Sequence, residues 1–206
     1  MKAQQMALGL TVLGLGVLVG GCAGSPRRAE IPLGEWRGTG VFVLDRWEAH
    51  EQEEHGEKWV RKSLQHGAYP THLKIARANE LGDGAVRMEI LSERGEVEDM
   101  GGDRTHLLLH LRPDTSLADE SITLYRLVDF GLSFDANPPE PDEHPEGLTH
   151  ASCMLVNGEL VLRIHYMDQF VDTLRFRGNT VFKDGSYWAD GGDGLIHWSE
   201  RLERCR

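Results

Sequence analysis

The chain has 206 residues, with 22 basic and 33 acidic side chains and a net charge of −11. An acidic balance of this size argues against nucleic acid and anionic lipid surfaces as partners, because both repel a negative body. The length fits one domain of ordinary size and leaves no room for a second independent one.

The chain opens with a positive charge at Lys2, and Met6 to Gly20 is an apolar run whose one polar residue is Thr11. That run is shorter than the roughly 20 residues a membrane helix needs. It ends at small residues of the kind that precede signal-peptide cleavage. The stretch Val19-Gly20-Gly21-Cys22 resembles the lipobox of bacterial lipoproteins. The resemblance implies that residues 1–21 are a signal peptide, and that Cys22 becomes the lipidated first residue, carrying palmitate-type chains. With Ala23 rather than Asp next, it also implies export to the outer membrane. Cleavage would remove Lys2 as the one charge lost and leave about 185 residues with a charge near −12. Residues 22–32 are small, charged and proline-bearing, and read as a lipidated tether; residues 33–206 are the folded domain.

With Cys22 acylated, Cys153 and Cys205 remain, and an extracytoplasmic space permits them to pair. Closing a loop of about 52 residues would contribute about 4 kcal/mol in the chain-entropy account. A Cys153–Cys205 disulfide is therefore expected, with two buried thiols as the alternative.

The domain begins with Trp36, Gly38, Gly40, Phe42 and Leu44 on one face and Arg37, Thr39, Val41 and Val43 on the other, a period of two. Glycines inside such a run mark sharp bends, as in the first strand of a barrel. Asp45 to Lys58 is acidic and polar and reads as either a short helix or a long hairpin loop. Alternation returns at Trp59–Leu64, Thr71–Ala76, Val86–Ile90, His106–Leu111 and Ile122–Asp129, with turn signals at Gly82-Asp83-Gly84, Gly101-Gly102-Asp103 and Pro113-Asp114. Residues 135–147 hold four of the eight prolines and read as a long surface loop. Asn157-Gly158 is the preferred pair for a two-residue hairpin between Ala151–Val156 and Leu160–Tyr166. Phe170, Asp172, Leu174 and Phe176 share the next face. Gly178-Asn179 turns into Val181-Phe182, Lys183-Asp184-Gly185 reads as further turn punctuation, and Leu195–Cys205 is a last strand. Nine to eleven strands in even succession predict an all-β fold, an antiparallel up-and-down β-barrel or a sandwich, and closure favours the barrel because it removes exposed edges.

Gly34-Glu35-Trp36 at the start of the domain resembles the G-x-W motif of the lipocalin and calycin superfamily. The resemblance implies a lipocalin-like barrel whose closed end is formed by Trp36 beneath an arginine of the last strand, for which Arg201, Arg204 and Arg206 are the candidates. Gly34, Trp36, Gly38 and Gly40 also match the G-x-W-x-G-x-G start of nitrobindin-like haem-binding barrels. That resemblance implies haem as an alternative cofactor, with His197 as its ligand.

Other chemistry is weakly marked. Glu51 and His55 would lie one helical turn apart if that stretch were helical, but no HExxH or paired Cys/His spacing occurs, so no metal is expected. His106 and His110 are four apart on one strand, too far to chelate one ion unaided. No G-x-S-x-G elbow is present, Cys153 reads as structural, and no enzyme is indicated. The leading expectation is a lipid-anchored binding protein holding a small hydrophobic or amphipathic ligand in its barrel, lined or closed by Trp36, Phe42, Trp59, Tyr166, Phe176 and Trp198. The competing expectation is a solid barrel whose loops at 45–58 and 135–147 engage an envelope protein.

Overall fold

The protein is described by a computed structural model covering residues 29–52, 56–97, 102–114, 116, 122–133, 150–166, 170–188 and 194–206, with backbone alone at 46–52, 56–62, 64, 66, 94–97, 102, 103, 166, 170 and 188. Ten strands follow in order: β1 Gly34–Gln52, β2 Gly56–Arg77, β3 Val86–Val97, β4 Gly102–Pro113, β5 Ile122–Ser133, β6 His150–Val156, β7 Glu159–Tyr166, β8 Phe170–Arg177, β9 Thr180–Trp188 and β10 Gly194–Arg204. Each pairs antiparallel with its neighbour in sequence, and β10 returns to β1, so the sheet closes as an up-and-down barrel. This is the all-β barrel expected from the alternation. The lipidation site Cys22 and the loop 135–147 lie outside the described residues.

Three segments differ from expectation. Asp45 to Gln52 continues β1 and pairs with Gly56–Ser63 of β2, so this stretch is a strand hairpin. Its arms outrun the barrel wall, because β10 reaches β1 only as far as Arg46 and β3 meets β2 only from Thr71. The second segment, Lys183-Asp184-Gly185, lies inside β9 and is not a turn. Third, Ala29 and Ile31, expected in the tether, are buried in the same apolar cluster as the barrel interior. The turn at Asn157-Gly158 is as expected, with both residues at positive φ.

Inside, two apolar clusters are stacked along the barrel axis. The larger fills the end where β1 starts, with Leu73, Met88, Leu109, Leu111, Leu162, Leu174 and Leu202 all fully buried. Each such side chain contributes about 1.5–3 kcal/mol on leaving water. Trp36 closes this end: its ring meets Phe176 edge-on at 5.7 Å, and the Arg204 guanidinium lies 5.5 Å from its centroid. Of the three candidate arginines, Arg204 is the one in register with Trp36, and it also donates to the Leu33 carbonyl at 2.9 Å. The smaller cluster, Phe42, Leu44, Tyr69 and Ile196, sits towards the other end, with Tyr187 and Trp198 packed against it.

Gly38 faces Leu202, and a Cβ there would overlap the Arg201 carbonyl, so only glycine lets β10 approach so closely. Replacing Gly38 with Ala should therefore lower unfolding free energy by at least about 2–3 kcal/mol. Gly67→Ala, where a Cβ meets nothing within 4 Å, should stay within about 0.5 kcal/mol of the parent; urea denaturation of both variants measures the difference.

Candidate functional site

Between the two apolar clusters lies a belt of buried polar side chains. Glu200 on β10 and Lys183 on β9 are directly paired in register and both face inward. Lys183 donates from Nζ to Glu200 Oε1 at 3.1 Å, and their side chains are 6% and 1% exposed. Glu200 also accepts from Tyr69 Oη at 3.1 Å, Thr71 Oγ1 at 2.9 Å and Ser92 Oγ at 3.1 Å. Its carboxylate is thus held by donors from β2, β3 and β9. On the far side of Lys183, Asp172 of β8 lies 3.9 Å from Nζ and accepts the Trp198 indole N–H at 2.7 Å.

Two glycines make these crossings possible. Gly40 stands between Tyr69 and Glu200 in one transverse row, and a Cβ there would come within 2.6 Å of Tyr69 Cζ and 2.7 Å of Glu200 Cγ. Gly185 stands between Asp172 and Trp198 in another row, and a Cβ there would overlap both side chains. Each glycine leaves a gap in the inner wall through which its neighbours join hands across a strand. The glycines of the first strand therefore serve packing and the polar network together.

Among the described residues, the belt holds two carboxylates against one ammonium. Taking each ion out of water costs several kcal/mol, which only well-formed hydrogen bonds and opposite charges offset. Above the belt the inward-facing Tyr187 and Trp198 remain half-buried, while the inward side chains of the larger cluster are closed to solvent. The barrel is packed below its waist and keeps accessible aromatic surface above it.

The expected ligand-lining residues divide accordingly. Phe42 and Trp198 lie in the upper half, and Trp198 takes part in the belt. Trp36 and Phe176 belong to the packed lower core. The side chains of Trp59 and Tyr166 lie outside the described residues. His197 is exposed on the outer face of β10, because Ile196 and Trp198 on either side of it face inward; it points away from any group held in the barrel. Asp172, Lys183 and Glu200 were not singled out from the sequence. The signal was there: Asp172 stands in phase with Phe170, Leu174 and Phe176, and a charge on an apolar strand face is an inward charge.

The expected disulfide is not formed. Cys153 and Cys205 are both free, the first buried on β6 and the second exposed beyond β10. Three strands separate β6 from β10 in the wall, at about 4.8 Å per strand step, and a bridge needs Cα atoms within about 7 Å. Burial, with a smaller contribution from Glu30, pushes the Cys153 thiol up to about 12, so it is inert as a nucleophile. Among the histidines, His106 and His110 lie on the outer side of β4, bonded to Glu89 at 2.8 Å and Asp129 at 2.9 Å. His150 and His165 stack across β6 and β7 at 5.0 Å. No group of three or more metal-ligating side chains occurs among the described residues.

A separate cleft of about 660 Å³ opens at the closed end, between residues 30–33 and the ends of β2 to β5. None of the six expected lining residues borders it. No protein-family model, curated protein or solved structure matches this chain, so the functional reading rests on the geometry itself.

Removing the Lys183 ammonium should expose the belt's energetics. Lys183→Met leaves two buried carboxylates without their cation and should cost about 3–5 kcal/mol of stability. Adding Glu200→Gln should return at least half of that loss in urea unfolding. A cost below about 1 kcal/mol for the single variant would mean the pair is not held dry.

Proposed function

We propose that this protein is a lipid-anchored extracytoplasmic binding protein that holds a small amphipathic molecule in the upper half of its barrel. The observation that carries this reading is the charged belt. A barrel built only for stability gains by filling its waist with apolar side chains, since replacing a buried ion pair by well-packed hydrophobics is often neutral or stabilising. Here Asp172, Lys183 and Glu200 are instead buried and hydrogen-bonded beneath half-buried aromatic surface. Such a floor suits a ligand whose apolar body lies against Phe42, Tyr187 and Trp198 and whose polar end meets Lys183 and Asp172. Ligand sites have this composition: mostly apolar walls with a few convergent polar groups. An eight- to ten-stranded barrel is wide enough to hold one such molecule.

The anchor follows from Val19-Gly20-Gly21-Cys22 and its likeness to a lipobox. Several acyl chains on Cys22 would hold the domain at a membrane stably where one chain would not. Ala23 supports the outer membrane as its address.

The test is native mass spectrometry of the full-length gene product expressed in a Gram-negative host and extracted in detergent. The expected species begins at Cys22, carries acyl chains, and retains a bound amphiphile of a few hundred daltons that leaves on denaturation. Lys183→Met should reduce its occupancy about tenfold or more, the equivalent of 1.4 kcal/mol. A barrel whose mass equals the acylated polypeptide alone would overturn the binding reading and favour the envelope-interaction one. A visible absorption band lost on denaturation would instead favour haem. A chain that retains residues 1–21 would overturn the anchor.

A further inference from the structure

The cleft at the closed end lies on the opposite side of the packed lower core from the charged belt, and it has the attributes of a second site. Its volume, about 660 Å³, falls within the roughly 300–1,000 Å³ range of small-molecule pockets. One wall is the segment Glu30–Leu33; the others come from Arg77, Asp83, Gly84, Val86, Pro113, Thr123 and Tyr125. Thr123 faces inward on β5 and is 2% exposed, yet its Oγ1 has no hydrogen-bond partner. A buried hydroxyl without a partner costs about 1–3 kcal/mol, a cost that a bound oxygen or N–H would remove. The neighbouring strand offers no relief, since the residue paired with Thr123 is the apolar, buried Cys153.

The chemistry of the cleft selects its occupant. Ile31, Pro32, Leu33, Val86 and Pro113 supply apolar walls. The charged groups at the cleft are Arg77, Asp83 and Glu30, of both signs, so neither a free carboxylate nor an ammonium finds a site of one opposite charge there. We infer that the closed-end cleft binds an electrically neutral amphiphile, with a hydroxyl or ester carbonyl oxygen bonded to Thr123 and its apolar portion against Ile31, Leu33 and Val86. The site is distinct from the belt and stands whether or not the upper barrel holds a ligand. Residue 29, at the edge of this end, is seven positions from Cys22, which is a span of at most about 25 Å. On an acylated chain the cleft would therefore be within reach of the bilayer surface, where neutral amphiphiles are concentrated.

The experiment titrates the full chain with three twelve-carbon probes, each below its micellar concentration: 1-monolauroylglycerol, laurate and dodecylammonium. Affinity is read by native mass spectrometry and stability by thermal unfolding. Monolauroylglycerol should bind at least about tenfold more tightly than the two charged probes. Thr123→Val should weaken it about fivefold or more, as loss of one buried hydrogen bond does, while leaving the Tm of the empty protein equal or higher. Thr123→Ser should restore binding, and Gly67→Ala, at a position that does not line the cleft and where a Cβ meets nothing within 4 Å, should leave it unchanged. The inference is overturned if Thr123→Val lowers the Tm and spares binding, because the hydroxyl would then serve the fold. It is also overturned if the three probes bind alike, or if Thr123→Val leaves both the Tm and the binding unchanged, which would place the probe elsewhere on the protein.

Discussion

Glu200 is the point at which the barrel is tied across its width. Its two carboxylate oxygens collect donors from three strands, Tyr69 and Thr71 on β2, Ser92 on β3 and Lys183 on β9. A carboxylate in that position has no water to fall back on, so each donor must be present and in register. Register in a strand is all or nothing, because a slip by one residue would turn the inward set outward. The belt therefore fixes β2, β3 and β9 against β10 in a way that apolar packing alone, which tolerates rearrangement, does not.

The glycines of the first strand follow from the same constraint. Gly38 admits the β10 backbone, and Gly40 opens the row through which Tyr69 reaches Glu200. Gly185 repeats the device two strands away for Trp198 and Asp172. Their effect is to divide the interior into a packed apolar base sealed by Trp36 and Arg204, a polar waist, and an upper half with accessible aromatic surface. The proposed binding function calls for such a division, with rigid support below and a polar group to orient a ligand above it.

Much of this was legible in the residues. Period-two alternation marked most of the strands and a count of nine to eleven, closure favoured the barrel over a sandwich, and the likeness of Gly34-Glu35-Trp36 to the lipocalin motif implied Trp36 at the closed end. What the alternation could not convey was which short polar runs interrupt strands and which continue them. Lys183-Asp184-Gly185 has turn composition, but it lies within β9 because Lys183 has Glu200 opposite it and Gly185 must leave space for Trp198. Asp45 to Gln52 has loop composition, but its partner in β2 is as long as it is. Cys153 and Cys205 were joined by elimination, whereas strand order places them on different parts of the wall. The resemblance to nitrobindin-like barrels implies His197 as a haem ligand, but strand parity turns it outward. In each case the missing information was a cross-strand neighbour, which is set by register and not by local sequence.

The proposed function requires the waist to be a dry, preformed polar floor that a ligand in the upper half would meet. Its most direct test is the indole N–H of Trp198 in a ¹⁵N–¹H spectrum, where the five tryptophans give separable signals. The Trp198 signal should be protected from solvent exchange by its bond to Asp172, and it should shift when bound amphiphile is stripped from the protein while that of Trp36 stays in place. A Trp198 signal that exchanges as fast as a free indole, or that does not respond to stripping, would contradict it.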